Sequence, residues 1–315
     1  MWLLYAFAYN FLFLQDNMYY RRKILLALLS FFGGKLTAKQ LQKYLFLFTR
    51  QQDTKSFDFV PYHYGCFSFQ ANQDISTLTK YGYCQITETK DGRFYELIKD
   101  EDFINTLKPE DKQKLIDTKD KFGKLTQTEL IRHTYRNYPY YAIKSDIAKS
   151  LLNSSELEII EQQKRHYSEK QLFSIGYEGI SLETYINKLI INDVHVLCDV
   201  RKNAYSQKYG FSKKTLELAC KGTNIEYVHI PDLGIVSDKR QELNTQADYD
   251  ALFNEYKQTT LIDNNKSILY IRDLLDKYKR VALTCFEKDP KQCHRTCVAN
   301  SLLQLPDTDY GLKIL

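Results

Sequence analysis

Apolar positions follow helical spacing in the first hundred residues and change, past residue 171, to short apolar runs alternating with amphipathic segments. In residues 21–32, Ile24, Leu25, Leu28 and Leu29 form one stripe ended by Gly33-Gly34, which predicts a first helix. Thr37 opens a Thr-x-x-Gln capping box with Gln40, ahead of Leu41, Leu45 and Phe48 on one face, which predicts a second. Residues 57–65 read as extended, and residues 68–81 as a third helix stopped by Gly82. Two β-favouring runs follow, residues 83–87 and 93–98, joined by a turn at Asp91-Gly92. Three helices and a hairpin in that order predict a winged-helix-like domain, in which the third helix enters a groove of DNA. Its groove-facing residues would be Gln70, Asn72, Gln73, Thr77 and Lys80, which can hydrogen-bond bases but bring one positive charge. Packing or dimerisation through the same helix fits that pattern as well.

Residues 101–171 are polar and helical, with an aromatic interruption around Tyr138-Pro139-Tyr140-Tyr141, and read as a continuation of the first domain. The second half predicts strands at 172–175, 194–200, 226–230 and 280–285. Helices are expected near 182–191, 213–220, 247–257, 268–278 and 294–303. Strands separated by helices imply right-handed crossovers and a parallel sheet. The expected fold class is therefore α/β: a Rossmann-like three-layer domain over residues 172–315, preceded by a mostly helical winged-helix-like domain over residues 18–171.

Composition narrows the setting. The 315 residues suit two domains, and seven cysteines without regular spacing fit reduced thiols in a cytoplasm better than a disulfide framework. The one long apolar run, residues 2–14, is too short to span a bilayer and lacks the flanks of a signal peptide. No membrane association is expected, and Met18 reads as the natural start, with residues 1–17 an upstream extension. Charge is uneven: residues 18–100 carry 12 Lys+Arg against 7 Asp+Glu, whereas residues 172–315 carry 19 of each. The first domain is thus the better candidate for phosphate contact.

Ligands of open parallel sheets bind at the carboxyl ends of strands. Polar residues fall there in every strand: Tyr177 and Glu178 after the first, Asp199 and Arg201 at the second, His229 and Asp232 at the third, Cys285 and Glu287 at the fourth, then Cys293-His294-Arg295. Ser174-Ile175-Gly176-Tyr177, Asp199-Val200-Arg201, Tyr227-Val228-His229-Ile230-Pro231 with Leu233-Gly234, and Cys285-x-Glu287-x-Asp289-Pro290-x-x-Cys293-His294-Arg295 resemble the domain of unknown function 488 family over residues 172–303. The resemblance implies the α/β fold class and marks Cys285, Glu287, Cys293, His294 and Arg295 as a characteristic site, without implying a reaction. Where that family often carries His after the first Gly, this chain has Tyr177.

Each residue admits two readings. Cys285 is a nucleophile, its thiolate favoured by a helix N-terminus and Arg295, or a small buried hydrophobe. Glu287 is an acid/base or a helix cap; Asp199 and Arg201 bind a polar ligand or pair with one another; His229 lines the site or fills the core. His294-Arg295 receives an anion at a helix start, or packs. Cys285, Cys293, His294 and Cys297 raise the question of zinc. Adjacent Cys293 and His294 would point about 100° apart on a helix, so no metal is expected. Neither a Walker loop nor Gly-x-Gly-x-x-Gly occurs, so no cofactor is expected, and Arg295 lies too far from Cys285 for a tyrosine-phosphatase loop. The leading expectation is a nucleic-acid- or nucleotide-associated hydrolase or group-transfer enzyme. In it Cys285, Glu287 or Asp199 are catalytic, and Tyr177, Arg201, His229, Cys293, His294 and Arg295 hold an anionic ligand. The alternative is a DNA-binding regulator, with a homodimer left open, whose α/β domain senses a small molecule.

Overall fold

In the computed structural model, residues 18–90, 92–99, 101–240 and 243–315 are described. The expected start at Met18 in place of residues 1–17, and Asp91 of the expected turn, bear on residues outside that set. The chain divides into two compact units, one running to Leu157 and the other Glu158–Leu315. No helix among the described residues is long and apolar enough to cross a membrane.

In the first unit, α1 (Tyr20–Phe31), α2 (Ala38–Thr49) and α3 (Phe69–Lys80) pack around Leu25, Leu28, Leu45, Phe48, Ile75 and Leu78. The Thr37 capping box forms as its spacing predicts, with Thr37 Oγ1 accepting from the Gln40 amide and Gln40 Oε1 from the Thr37 amide. Ser68 caps α3 in the same way, through the Ala71 amide. Strand β1 (Lys35–Thr37) joins the hairpin β4 (Cys84–Thr89) and β5 (Gly92–Leu97) in an antiparallel sheet ordered β1-β5-β4. A small hairpin, β2 (Val60–Tyr62) with β3 (Gly65–Phe67), precedes α3. Helices α4 (Pro109–Phe122) and α5 (Gln127–Asn137) follow, and the unit boundary falls within α6 (Ser154–Glu161). Asp74, fully buried on α3, is neutralised by Arg21 and Arg22 at 2.6 and 2.7 Å.

The second unit is built on a five-stranded parallel sheet ordered β10-β6-β9-β7-β8: β6 (Gln171–Gly176), β7 (Val196–Asp199), β8 (Glu226–His229), β9 (Arg280–Cys285) and β10 (Gly311–Ile314). Four of these strands lie where the sequence predicts them, and β10 is an addition. Its longer helices are α7 (Leu182–Ile191), α8 (Lys213–Lys221), α9 (Gln246–Gln258), α10 (Asn265–Tyr278) and α11 (Arg295–Leu303). Because side chains alternate along a strand, Val196, Cys198, Val281 and Leu283 share one face, packed on Phe253, Ile271, Leu275, Val298 and Leu302. Strand β9, buried at every position, is central, and Cys285 is its last residue.

Candidate functional site

Two polar clusters occupy the carboxyl ends of neighbouring strands. The first sits at the end of β7. Asp199 and Arg201, both buried, form a two-pronged pair: Arg201 Nε donates to Asp199 Oδ1 at 2.8 Å and Nη2 donates to Oδ2 at 2.5 Å. Arg201 Nη1 then donates to the Tyr177 hydroxyl at 2.7 Å and to the Phe211 carbonyl at 2.9 Å, and the Tyr227 hydroxyl donates to Asp199 Oδ2 at 2.6 Å. Tyr177 stacks flat on Phe211 with ring centroids 4.2 Å apart. Burial opposes the charge on Arg201, but the hydrogen bonds and field of Asp199 prevail and raise its pKa. Burial, reinforced by Asp199, keeps the Tyr227 phenol protonated. His229 Nε2 meets the Arg201 carbonyl at 2.9 Å. Of the two readings of Asp199 and Arg201, the geometry is that of the internal pair.

The second cluster lies at the end of β9. Cys285 Sγ is 3.2 Å from Glu287 Oε2 and 3.8 Å from His294 Nδ1. The ligating atoms of Cys285, Cys293 and His294 all lie within 4.8 Å of one another, and the three residues are buried. His294 Nε2 donates to the Val200 carbonyl at 2.9 Å. A carbonyl can only accept, so Nε2 carries the hydrogen and Nδ1 faces the sulfur. A hydrogen bond from Cys293, against the effect of burial, holds Cys285 well below the usual thiol range, with His294 and Arg240 adding to the effect. Burial pushes Cys293 up, and the neighbouring Cys285 pushes it further. Burial disfavours charge on His294, yet the Cys285 thiolate outweighs it and raises the imidazole's pKa. Burial and then Cys285 raise Glu287, offset in part by Arg240.

The backbone here is close-fitted. A Cβ on Gly176 would stand 1.9 Å from the Glu287 carbonyl oxygen, and one on Gly234 would stand 2.0 Å from the Lys202 nitrogen. Only glycine lets those loops approach. Arg295, fully buried, binds the loop from beneath: Nη1 donates to the Glu287 carbonyl at 2.6 Å, Nη2 to the Lys288 carbonyl at 3.3 Å and Nε to Ser174 Oγ at 2.8 Å. The arginine expected to meet an anion instead holds the segment carrying Glu287. The cation that does reach the cluster is Arg240, paired with Glu287 and a quarter exposed. With Leu243, Tyr249 and Glu287 it lines a cavity of about 280 Å³. No motif marks Arg240, which lies 47 positions from its partner.

The structure also revises the geometry on which zinc was set aside. Cys293 is extended (φ −132°, ψ 130°) and His294 is the N-cap of α11, so the two are not successive positions of a helix and both turn towards Cys285. Cys297 is on α11 and lies in the apolar core, outside the cluster.

The five α3 residues expected to face a groove are engaged to different degrees. Gln70 Nε2 donates to Asp74, Asn72 Oδ1 accepts from the Tyr95 hydroxyl, and Thr77 Oγ1 donates to the Gln73 carbonyl. Gln70, Asn72, Gln73 and Thr77 are half-buried, and Lys80 is exposed.

Residues 181–302 match the family model described as domain of unknown function DUF488. That stretch carries both clusters except Tyr177 and lies within the second unit. Comparison with curated proteins and with solved structures gives no match.

Proposed function

We propose that the protein is a cytoplasmic nucleotide- or nucleic-acid-associated enzyme of the hydrolase or group-transfer class, working at the carboxyl ends of the strands of a Rossmann-like three-layer domain. The observation that carries this reading is the second cluster: an electron-rich sulfur, an oriented imidazole and a carboxyl with a raised pKa meet at the end of one strand. A buried cluster of this kind costs stability and is characteristic of reactive sites rather than of plain ligand sensors. It favours the enzyme over the regulator. Glu287 is the acid/base, since it is the one carboxyl of the cluster and borders the cavity. Arg240 supplies positive charge for an anionic substrate. Asp199 and Arg201 position the neighbouring strand end, Tyr177 closes it, and Arg295 sets the Glu287 loop.

The first unit, read as winged-helix-like, would bring nucleic acid to this site, with its excess of basic residues supplying phosphate contacts. The test pairs binding with turnover. Fluorescence anisotropy of the full chain with duplex and single-stranded DNA and RNA across a salt series should show affinity that falls steeply with salt. Incubation with nucleotides and the bound oligomer should yield a cleaved or transferred product that Glu287→Gln fails to form. An unchanged rate in Glu287→Gln removes that residue from the mechanism; absence of binding at low salt removes the delivery role and leaves a small anionic substrate.

A further inference from the structure

Three ligand-type atoms that converge in a protein interior, one of them on an imidazole whose second nitrogen is held by a hydrogen bond, constitute a built site. Cys285 Sγ, Cys293 Sγ and His294 Nδ1 meet that description. Tetrahedral ligands at zinc bond lengths, about 2.3 Å to sulfur and about 2.0 Å to nitrogen, stand roughly 3.6 Å from one another. The Cys285 to His294 separation is 3.8 Å. Imidazoles that hold metal almost always donate their second ring N–H to a carbonyl or carboxylate, which fixes the tautomer and aims the free nitrogen. His294 does so through the Val200 carbonyl at 2.9 Å. Sulfur and imidazole together select a thiophilic cation such as zinc over magnesium or calcium.

We propose that Cys285, Cys293 and His294 form a three-ligand zinc site with an open fourth position beside Glu287. Three protein ligands and one open position are the arrangement of catalytic rather than structural zinc. The catalytic consequence deepens the hydrolase reading and rests on it; the metal site itself stands on geometry. It assigns the Cys285 sulfur to the metal, so that water and not the thiolate attacks the substrate. Water at the fourth position gives one proton to Glu287, and the resulting hydroxide adds to the electrophilic centre. Glu287 then returns that proton to the leaving group, so one water is added across the broken bond with no change of oxidation state. Arg240, on the other side of Glu287, faces the substrate's anionic part.

The decisive measurement is metal content of the full-length protein, purified under reducing conditions after growth with added zinc. The expected result is about one zinc per chain, lost in Cys293→Ala and His294→Ala and retained in Cys297→Ala and Glu287→Gln. Because the first two variants remove buried side chains, cobalt substitution of the unmodified protein supplies a second readout. Thiolate ligation gives it an intense sulfur-to-cobalt charge-transfer band. Absence of zinc together with absence of that band overturns the proposal. So does zinc that survives in Cys293→Ala and His294→Ala, which would place the metal elsewhere. The hydrolase reading fails separately, if zinc is bound as expected and Glu287→Gln turns over at the full rate.

Discussion

The two polar clusters differ in the kind of groups they gather. At the end of β7, the Asp199 and Arg201 charges cancel, and Tyr177, Tyr227 and the Phe211 carbonyl complete the network. At the end of β9, the neighbouring strand, two sulfurs, an imidazole and a carboxyl crowd together, with the Arg240–Glu287 pair at the cavity edge. A closed pair of opposite charges fixes backbone geometry, whereas sulfur, imidazole and carboxyl side by side are groups with chemistry of their own. Charge at a strand end is therefore a poor guide to function until its partners are counted.

That contrast can be broken most forcefully at Arg201. Removing it by Arg201→Ala leaves Asp199 buried without its partner and is expected to cost about 3–5 kcal/mol in chemical denaturation; a change below about 1 kcal/mol would reopen the anion-binding role. Glu287→Gln should do the reverse, with turnover falling about 10²–10⁴-fold and unfolding free energy nearly unchanged. Tyr227→Phe tests whether the first network depends on each member. It deletes one hydrogen bond to a buried carboxylate and should cost roughly 1.5–3 kcal/mol without altering the KM of any substrate. Gly176→Ala sharpens the boundary between the clusters, since the new methyl group must push the Glu287 carbonyl aside. A loss of about 1–3 kcal/mol is expected together with reduced turnover, read by denaturation and by rate.

Periodicity made the long elements legible. The capping box at Thr37, the stripe of α2 and the four apolar strands of the second unit all lie close to where their patterns put them. Strands β1 and β10 were invisible because each is short, carries no apolar run, and owes its place to pairing with the distant β5 and β6. The place of the site was readable, since strand ends are where loops and helix starts offer polar groups. The engagement of its members was not. Arg201 and Arg295 have the composition of anion holders, and only the fold reveals the carboxylate and the carbonyls that occupy them. Arg240 is contributed by a short 3₁₀ turn, Ser237–Arg240, with no motif, and Cys293 with His294 is compatible with one metal only because α11 starts where it does.

Arg295 carries a further consequence. By tying the Glu287 and Lys288 carbonyls to Ser174 on the adjacent strand, it braces the Glu287 loop against the sheet. Any ligand binding there would not need to freeze that stretch of chain, because its conformational entropy has already been surrendered during folding. Under the proposed reading, the Glu287 side of the cavity beside Arg240 and Tyr249 is therefore set before any ligand arrives.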